Sequence, residues 1–155
     1  MIYLAIDPGK VCGVAWRVND GEMLSTVVKI HELVRFLGIS KMAWSLIDSS
    51  KTLVAIEKMS GRWGRSREHK AQANQVYDII KSIWPRRKSR VRFVDPRVWQ
   101  RAVTLNAPGK TPKERSLFAA SNITGRIIAD HNEADAVCLL HWLIVTTQLE
   151  RGFAG

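Results

Sequence analysis

What this sequence lacks narrows its options first. No apolar run approaches the roughly 18 residues that a membrane-spanning helix requires. The most apolar stretch, Ala134 to Val145, carries Asp135 and His141 and is too short to span a bilayer. No secretory leader and no lipidation motif is read at the ends, so no membrane partner is expected. No repeat period and no low-complexity linker divides the chain. Its 155 residues are therefore expected to form one domain, 1–155, long enough to bury a sizeable core. Cysteine is scarce too: Cys12 and Cys138 each sit inside an apolar run. Two such thiols suit a reducing compartment rather than a disulfide framework, and the expected location is the cytoplasm.

Acids are the other shortage. Asp plus Glu number 14 against 24 Lys plus Arg, a formal net charge of +10. That surplus on a small domain favours a polyanionic partner, nucleic acid foremost. With so few acids available, those placed against apolar runs call for a reason.

Ile2 to Ile6 reads as a strand, apolar throughout and so central and covered on both faces. Asp7-Pro8-Gly9-Lys10 is a turn. Gly13 to Arg17 and Leu24 to Val28 read as two more strands around Asn19-Asp20-Gly21, giving an antiparallel meander. Ile30 to Leu46 has helical spacing, with a break expected near Gly38. Thr52 to Ile56 is a second short apolar strand, ending in Glu57. The following segment, Lys58 to Lys70, is basic, contains glycine and is poor in aliphatics, so an exposed loop is expected. Ala73, Val76, Tyr77, Ile80 and Ile83 or Trp84 mark an amphipathic helix from about Glu68 to Trp84, stopped by Pro85. Val91 to Val94 is a strand, and Asp95-Pro96 caps a helix through Val98, Trp99 and Val103. Asn106 to Thr111 is a loop, Pro112 to Ser121 a short helix capped by Thr111, and about Asn132 to Leu149 a long apolar helix. This succession gives an α/β fold, a mixed five-stranded sheet flanked by helices.

Asp7 and Glu57 each close a buried-looking strand, and the carboxyl ends of strands are where α/β sites are built. On neighbouring strands the two carboxylates would repel, and one should protonate unless a cation intervenes. Hard oxygen ligands favour magnesium or manganese. A third acid, Asp135, lies on the otherwise apolar helix face that includes Leu139 and Trp142. Asn132 and His131 share its face, whereas Glu133 points elsewhere and serves the positive end of the helix. Singly, a strand-end aspartate before Pro-Gly is a turn residue, and a helix aspartate is a cap or an ion-pair partner. Three together in a basic chain point to a metal site.

The pattern IDPG with a following glycine, AIEK closing a middle strand, and EADA opening a final helix resembles the RuvC-type Holliday junction resolvases. These belong to the ribonuclease-H-like nucleases, and the resemblance covers nearly the whole chain in matching element order. It implies a homodimeric endonuclease that binds four-way DNA junctions and nicks two strands symmetrically, leaving 5′-phosphate and 3′-hydroxyl ends. The cofactor implied is Mg2+, two ions per site, with Mn2+ able to substitute. Asp7 would bridge both ions, Glu57 would bind one and Asp135 the other. The family has a fourth ligand, Asp or His, three residues before the last aspartate, where Asn132 stands here. His131 is preferred for that role, with Asn132 and Asp130 as alternatives; a capping or surface histidine is the ordinary reading of His131.

The resemblance also matches Lys113 to a lysine near the scissile phosphate, with Lys110 in the same loop as a substitute. Gly109-Lys110-Thr111 is no P-loop, because it lacks the earlier glycine and does not follow a strand. A basic residue that the family carries on the preceding helix falls at Gln100, with Arg101 beside it. Lys58, Arg62, Arg65, Arg67 and Lys70 surround Trp63, which suits phosphates and base stacking. The family's junction-wedging aromatic aligns with Ser60, so Trp63 comes a few residues late; packing within its own loop is the ordinary alternative. The symmetric junction implies a dimer, with the helix Ala71 to Trp84 as interface by analogy, or as ordinary core.

Three rivals remain. An actin-like or sugar-kinase-like phosphotransferase also opens with DxGxxxG, but the chain is too short for two lobes and shows no second phosphate motif. Another ribonuclease-H-like nuclease, acting on RNA or other branched DNA, shares the acids and differs only in loops. A catalytically inactive junction-binding protein is kept open by Asn132.

Overall fold

Side-chain alternation along the strands decides how this chain folds. The structure is a computed structural model describing residues 1–47, 51–58, 66–84 and 89–152. The strands are β1 (Ile2–Asp7), β2 (Val11–Val18), β3 (Leu24–Lys29), β4 (Thr52–Glu57) and β5 (Ser89–Val94). The helices are α1 (Leu33–Ile47), α2 (Ser66–Ile83), α3 (Pro96–Val103), α4 (Pro112–Thr124) and α5 (His131–Gly152). They build one mixed sheet in the order β3-β2-β1-β4-β5. β1 to β3 form the antiparallel meander, and β4 and β5 run parallel to β1. β1 is central and buried at every residue, as its unbroken apolar run requires.

The two faces differ in side-chain size. Ile2, Leu4, Ile6, Val14, Val54 and Ile56 pack against Leu33 and Leu37 of α1 and Val76 and Ile80 of α2. The opposite face carries Tyr3, Ala5, Ala15, Leu53 and Ala55 under Trp99 of α3, Ala120 of α4 and Leu139 and Leu143 of α5. Ala15, Ala5 and Ala55 are register partners, a row of methyl groups across three strands. Over this row α5 comes down closely. At Gly13 a Cβ would lie 1.7 Å from the backbone oxygen of Asn132. Only hydrogen fits there.

α5 is tied at both ends to the sheet's edge strands. Near its start, Glu133 accepts hydrogen bonds from Ser25 Oγ on β3 and from Arg126, each at 2.8 Å. Near its end, Arg92 on β5 forks onto Glu150 at 3.0 and 2.7 Å. Partly exposed pairs of this kind contribute little stability individually, but a two-toothed fork fixes direction.

Several element bounds differ from expectation. β2 begins at Val11, because Val11 and Cys12 continue the ladder opposite Lys29 and Val28. α1 does not break at Gly38. Leu33, Leu37 and Trp44 are buried, and Trp44 packs between Trp16 and Trp84, with ring centroids 5.8 and 6.2 Å away. That burial outweighs the roughly 1 kcal/mol helix penalty of one glycine. α2 starts at Ser66, two residues before the expected Glu68, so the basic loop ends short of Lys70. The expected caps are present: Asp95 accepts from the Arg97 N–H, and Thr111 and Glu114 form a reciprocal capping box. Both cysteines are buried and free. Among the described residues no helix is long and apolar enough to cross a membrane.

The two glycines predict opposite outcomes. Gly13→Ala should lower unfolding stability by about 1–3 kcal/mol or more, because a backbone carbonyl must move. At Gly38 an added Cβ meets nothing within 4 Å. Gly38→Ala should therefore raise stability by roughly 0.5–1 kcal/mol. Urea denaturation of both variants checks the pair.

Candidate active site

Strand register brings the acids together. Ile6 and Ile56 are partners in the parallel β1–β4 ladder, so Asp7 and Glu57 end adjacent strands at one sheet edge. By alternation both fall on the face covered by α3 and α5. Asp7's partner on its other side is Gly13, and the bare backbone there admits the first turn of α5. Asn132 and Asp135 thereby reach the same cavity, of about 550 Å3, that Asp7 and Glu57 line. Lys10, Glu68 and Gln72 complete its polar lining. Lys10 pairs with Glu68 at 3.6 Å, both side chains being largely exposed.

The three acids share an electrostatic problem. Burial raises the Asp7 carboxyl well above its usual value, and the charges of Glu57, Asp135 and Asp130 raise it further. Glu57 is pushed up to about 7 by burial and then by Asp135, with the Trp99 indole as a partial offset. Asp135 is raised by burial, against which the Ser116 hydroxyl, His131 and Lys113 act. Among the described residues, no ion pair involves any of the three. Two supporting groups sit behind them. Trp99 Nε1–H donates to Glu57 Oε2 at 2.8 Å. Ser116 Oγ is buried without a complete hydrogen bond, close enough to Asp135 to favour its charged form.

The start of α5 assigns its neighbouring polar residues distinct tasks. Asp130 Oδ1 accepts from the N–H groups of Asn132 and Glu133 at 2.8 and 3.1 Å, which makes it the helix cap. Asn132 lines the cavity, whereas His131 is exposed beside it. Glu133 points away to Ser25 and Arg126, so its contribution extends beyond the helix dipole. Among the described residues no three His, Cys, Asp or Glu side chains close into a ready-made metal cage.

The basic residues lie around this centre. Lys113 is on the first turn of α4, near enough to Asp135 to act on its charge. Lys110 is exposed in the preceding loop, where its backbone N–H donates to Glu114 at 2.6 Å. Lys58 follows β4, Arg67 and Lys70 lie on the first turns of α2, and Arg101 lies on α3; all four are exposed. Ser60, Arg62, Trp63 and Arg65 fall outside the described residues. In α2, Ala73, Val76, Ile79 and Ile80 are spent on the chain's own core, and Lys70, Asn74, Asp78 and Lys81 face outward.

Sequence reasoning took Trp99 only as a helix-face apolar residue and did not single out Ser116, Glu68 or Gln72. No local signal marks them, since each comes to the site only through the tertiary fold.

The sheet order and the helices on both faces are those of a RuvC-type α/β fold. The Thermus thermophilus RuvC structure superimposes with a TM-score of 0.63 at 18% identity, over 90% of this chain and 91% of that one. The structure of T. thermophilus RuvC in complex with Holliday junction substrate gives the same score and identity, over 90% of each chain. No family model and no curated protein sequence matches the chain.

The raised Glu57 carboxyl sets a sign for pH dependence. The folded state binds its proton more tightly than the unfolded chain does. Its contribution is therefore complete below about pH 4.5 and is lost as pH rises through about 7. In EDTA, melting temperature should fall between pH 5 and pH 8, a loss on the order of 2 kcal/mol. Glu57→Gln should flatten that fall, which differential scanning fluorimetry across the range would register.

Proposed function

We propose that this chain is a magnesium-dependent, structure-specific endonuclease that resolves four-way DNA junctions by paired symmetric nicks. One observation carries the reading: three buried or half-buried carboxylates, each raised above its usual pKa and, among the described residues, with no cation paired to it, meet at the strand ends of a RuvC-type fold. Their donor chemistry fits a hard divalent cation, magnesium with manganese as substitute. Asp7, Glu57 and Asp135 would hold the two ions. Asn132, from the cavity lining, or His131, from beside it, would complete the set. What magnesium supplies there is a lowered pKa for the attacking water and stabilisation of the leaving 3′ oxygen.

The chain's own residues do the rest. Lys113, beside Asp135, would steady the scissile phosphate. Lys58, Arg67, Lys70, Arg101 and Lys110, with Arg62, Arg65 and Trp63, would hold the junction arms and crossover. The net charge of +10 supports a DNA partner. The likeness to T. thermophilus RuvC bound to Holliday junction substrate supports a branched one. Symmetric cutting requires two sites, hence a homodimer of the domain 1–155. The free buried cysteines support a reducing, cytoplasmic setting. A second reading, junction binding without cleavage, draws on the asparagine at position 132 in the lining.

Synthetic four-way junction, linear duplex and RNA–DNA hybrid, each with and without Mg2+, test the reading. Paired symmetric nicks confined to the junction are expected. Equal cutting of the hybrid, or tight junction binding with no cutting, overturns it. Asp7→Asn should reduce cleavage more than about a hundredfold, beyond what loss of a supporting residue costs. Its junction affinity and fold should be retained, by gel shift and circular dichroism.

A further inference from the structure

We propose that Trp99 is a positioning residue whose indole N–H fixes one oxygen of Glu57 and leaves the other to face the cavity. The proposal rests on the metal-site reading above. Trp99 is fully buried and Trp99 Nε1 lies 2.8 Å from Glu57 Oε2. An indole N–H donates and never accepts, so it supports an acceptor carboxylate and locks its side-chain torsions.

The chain reaches this arrangement by a short, stiff route. Glu57 is the register partner of Val94, and the Lys58 N–H donates to the Val94 carbonyl at 2.7 Å. The next residue, Asp95, caps α3 by accepting from the Arg97 N–H at 2.9 Å, and Pro96 opens the helix. Trp99 follows one turn later and lies back over Glu57. The helix that supplies the donor is thus hung from the residue opposite the acceptor. Phenylalanine would keep an aromatic ring in most of that apolar space on α3 but would bring no donor.

Uniformly 15N-labelled full-length protein tests this. Its six tryptophans give six indole N–H resonances, and Trp99→Phe identifies the one from Trp99. Titration with MgCl2 should move that resonance, and Glu57→Gln should abolish the movement. Calorimetry should show Mg2+ affinity about 10–100-fold weaker in Trp99→Phe, the usual cost of losing a ligand's supporting partner. A tryptophan serving packing alone would change melting temperature and leave Mg2+ affinity as it was.

Unchanged affinity in folded Trp99→Phe, or a Trp99 resonance that stays still through Mg2+ saturation, overturns the proposal while the metal site stands. Absence of Mg2+ binding by the wild-type protein overturns both. If Trp99→Phe does not fold, the wild-type and Glu57→Gln spectra decide. The resonance displaced by that substitution must be the one that moves with Mg2+, and any other pattern overturns the proposal.

Discussion

The approach of α5 to the sheet is the constraint on which the rest of this structure depends. A helix normally stands off a sheet by the length of the side chains between them. Here Gly13 supplies none and Ala5, Ala15 and Ala55 supply one carbon each, so backbone meets backbone at the Asp7 end. Without that approach Asn132 and Asp135 would stand away from Asp7, and the cavity would lose one wall. The opposite face, filled with Ile, Leu and Val, holds α1 and α2 farther out and provides most of the bulky apolar packing. One face serves stability by volume, the other serves the site by proximity. The ties to Ser25 and Arg92 keep the helix from sliding along that smooth alanine row.

Electrostatics separate the acids of this chain into two kinds. Asp95 is held down near 2 by its hydrogen bonds to Arg97, and Glu150 is lowered by Arg92. Each has a cation within reach and is a finished structural pair. Asp7, Glu57 and Asp135 shift the other way, since burial and one another's charge are not offset by the weaker help of Trp99, Ser116, His131 and Lys113. Folding alone gives no reason to gather like charges in low dielectric. The direction of the shift thus distinguishes acids that stabilise the fold from acids that await a charge.

Much of this was legible in the sequence because it is written locally. Unbroken apolar runs located β1 and β4, Asn19-Asp20-Gly21 the hairpin, and Asp95-Pro96 the start of α3. The strand-end positions of Asp7 and Glu57 could be read directly, and their adjacency followed once the strands were neighbours. Gly38 misled, because a helix penalty of about 1 kcal/mol is visible locally while the burial of Trp44 is not. The basic loop was carried too far, to Lys70, for a related reason: its charge is that of an exposed surface, which a helix's outer turn satisfies as well as a loop does. Trp99 was out of reach of pattern reading, since its partner lies 42 positions away and its helical spacing already explains a buried aromatic. The task of Asp130 as a cap depends on geometry that spacing alone leaves open between three neighbouring residues.

The division between sheet and loops separates what the fold fixes from what it leaves free to vary. Its acids are fixed by strand register and by one helix packed over small residues, so their spacing is insensitive to surface change. The basic residues proposed to meet DNA lie elsewhere among the described residues: Lys58 after β4, Arg67 and Lys70 on α2, Arg101 on α3, Lys110 before α4 and Lys113 on its first turn. A fold-level likeness at 18% identity therefore bears on the first set far more than on the second. Side chains on connections tolerate substitution at little cost to folding, and so substrate preference can change while the carboxylate centre stays in place. Lys113 joins the two sets. It belongs to the basic surface, yet its helix start is fixed by the Thr111–Glu114 box and its charge acts on Asp135. A phosphate drawn to that lysine would be brought to the edge of the acidic cavity, which is where the proposed nuclease reading needs a DNA strand to lie.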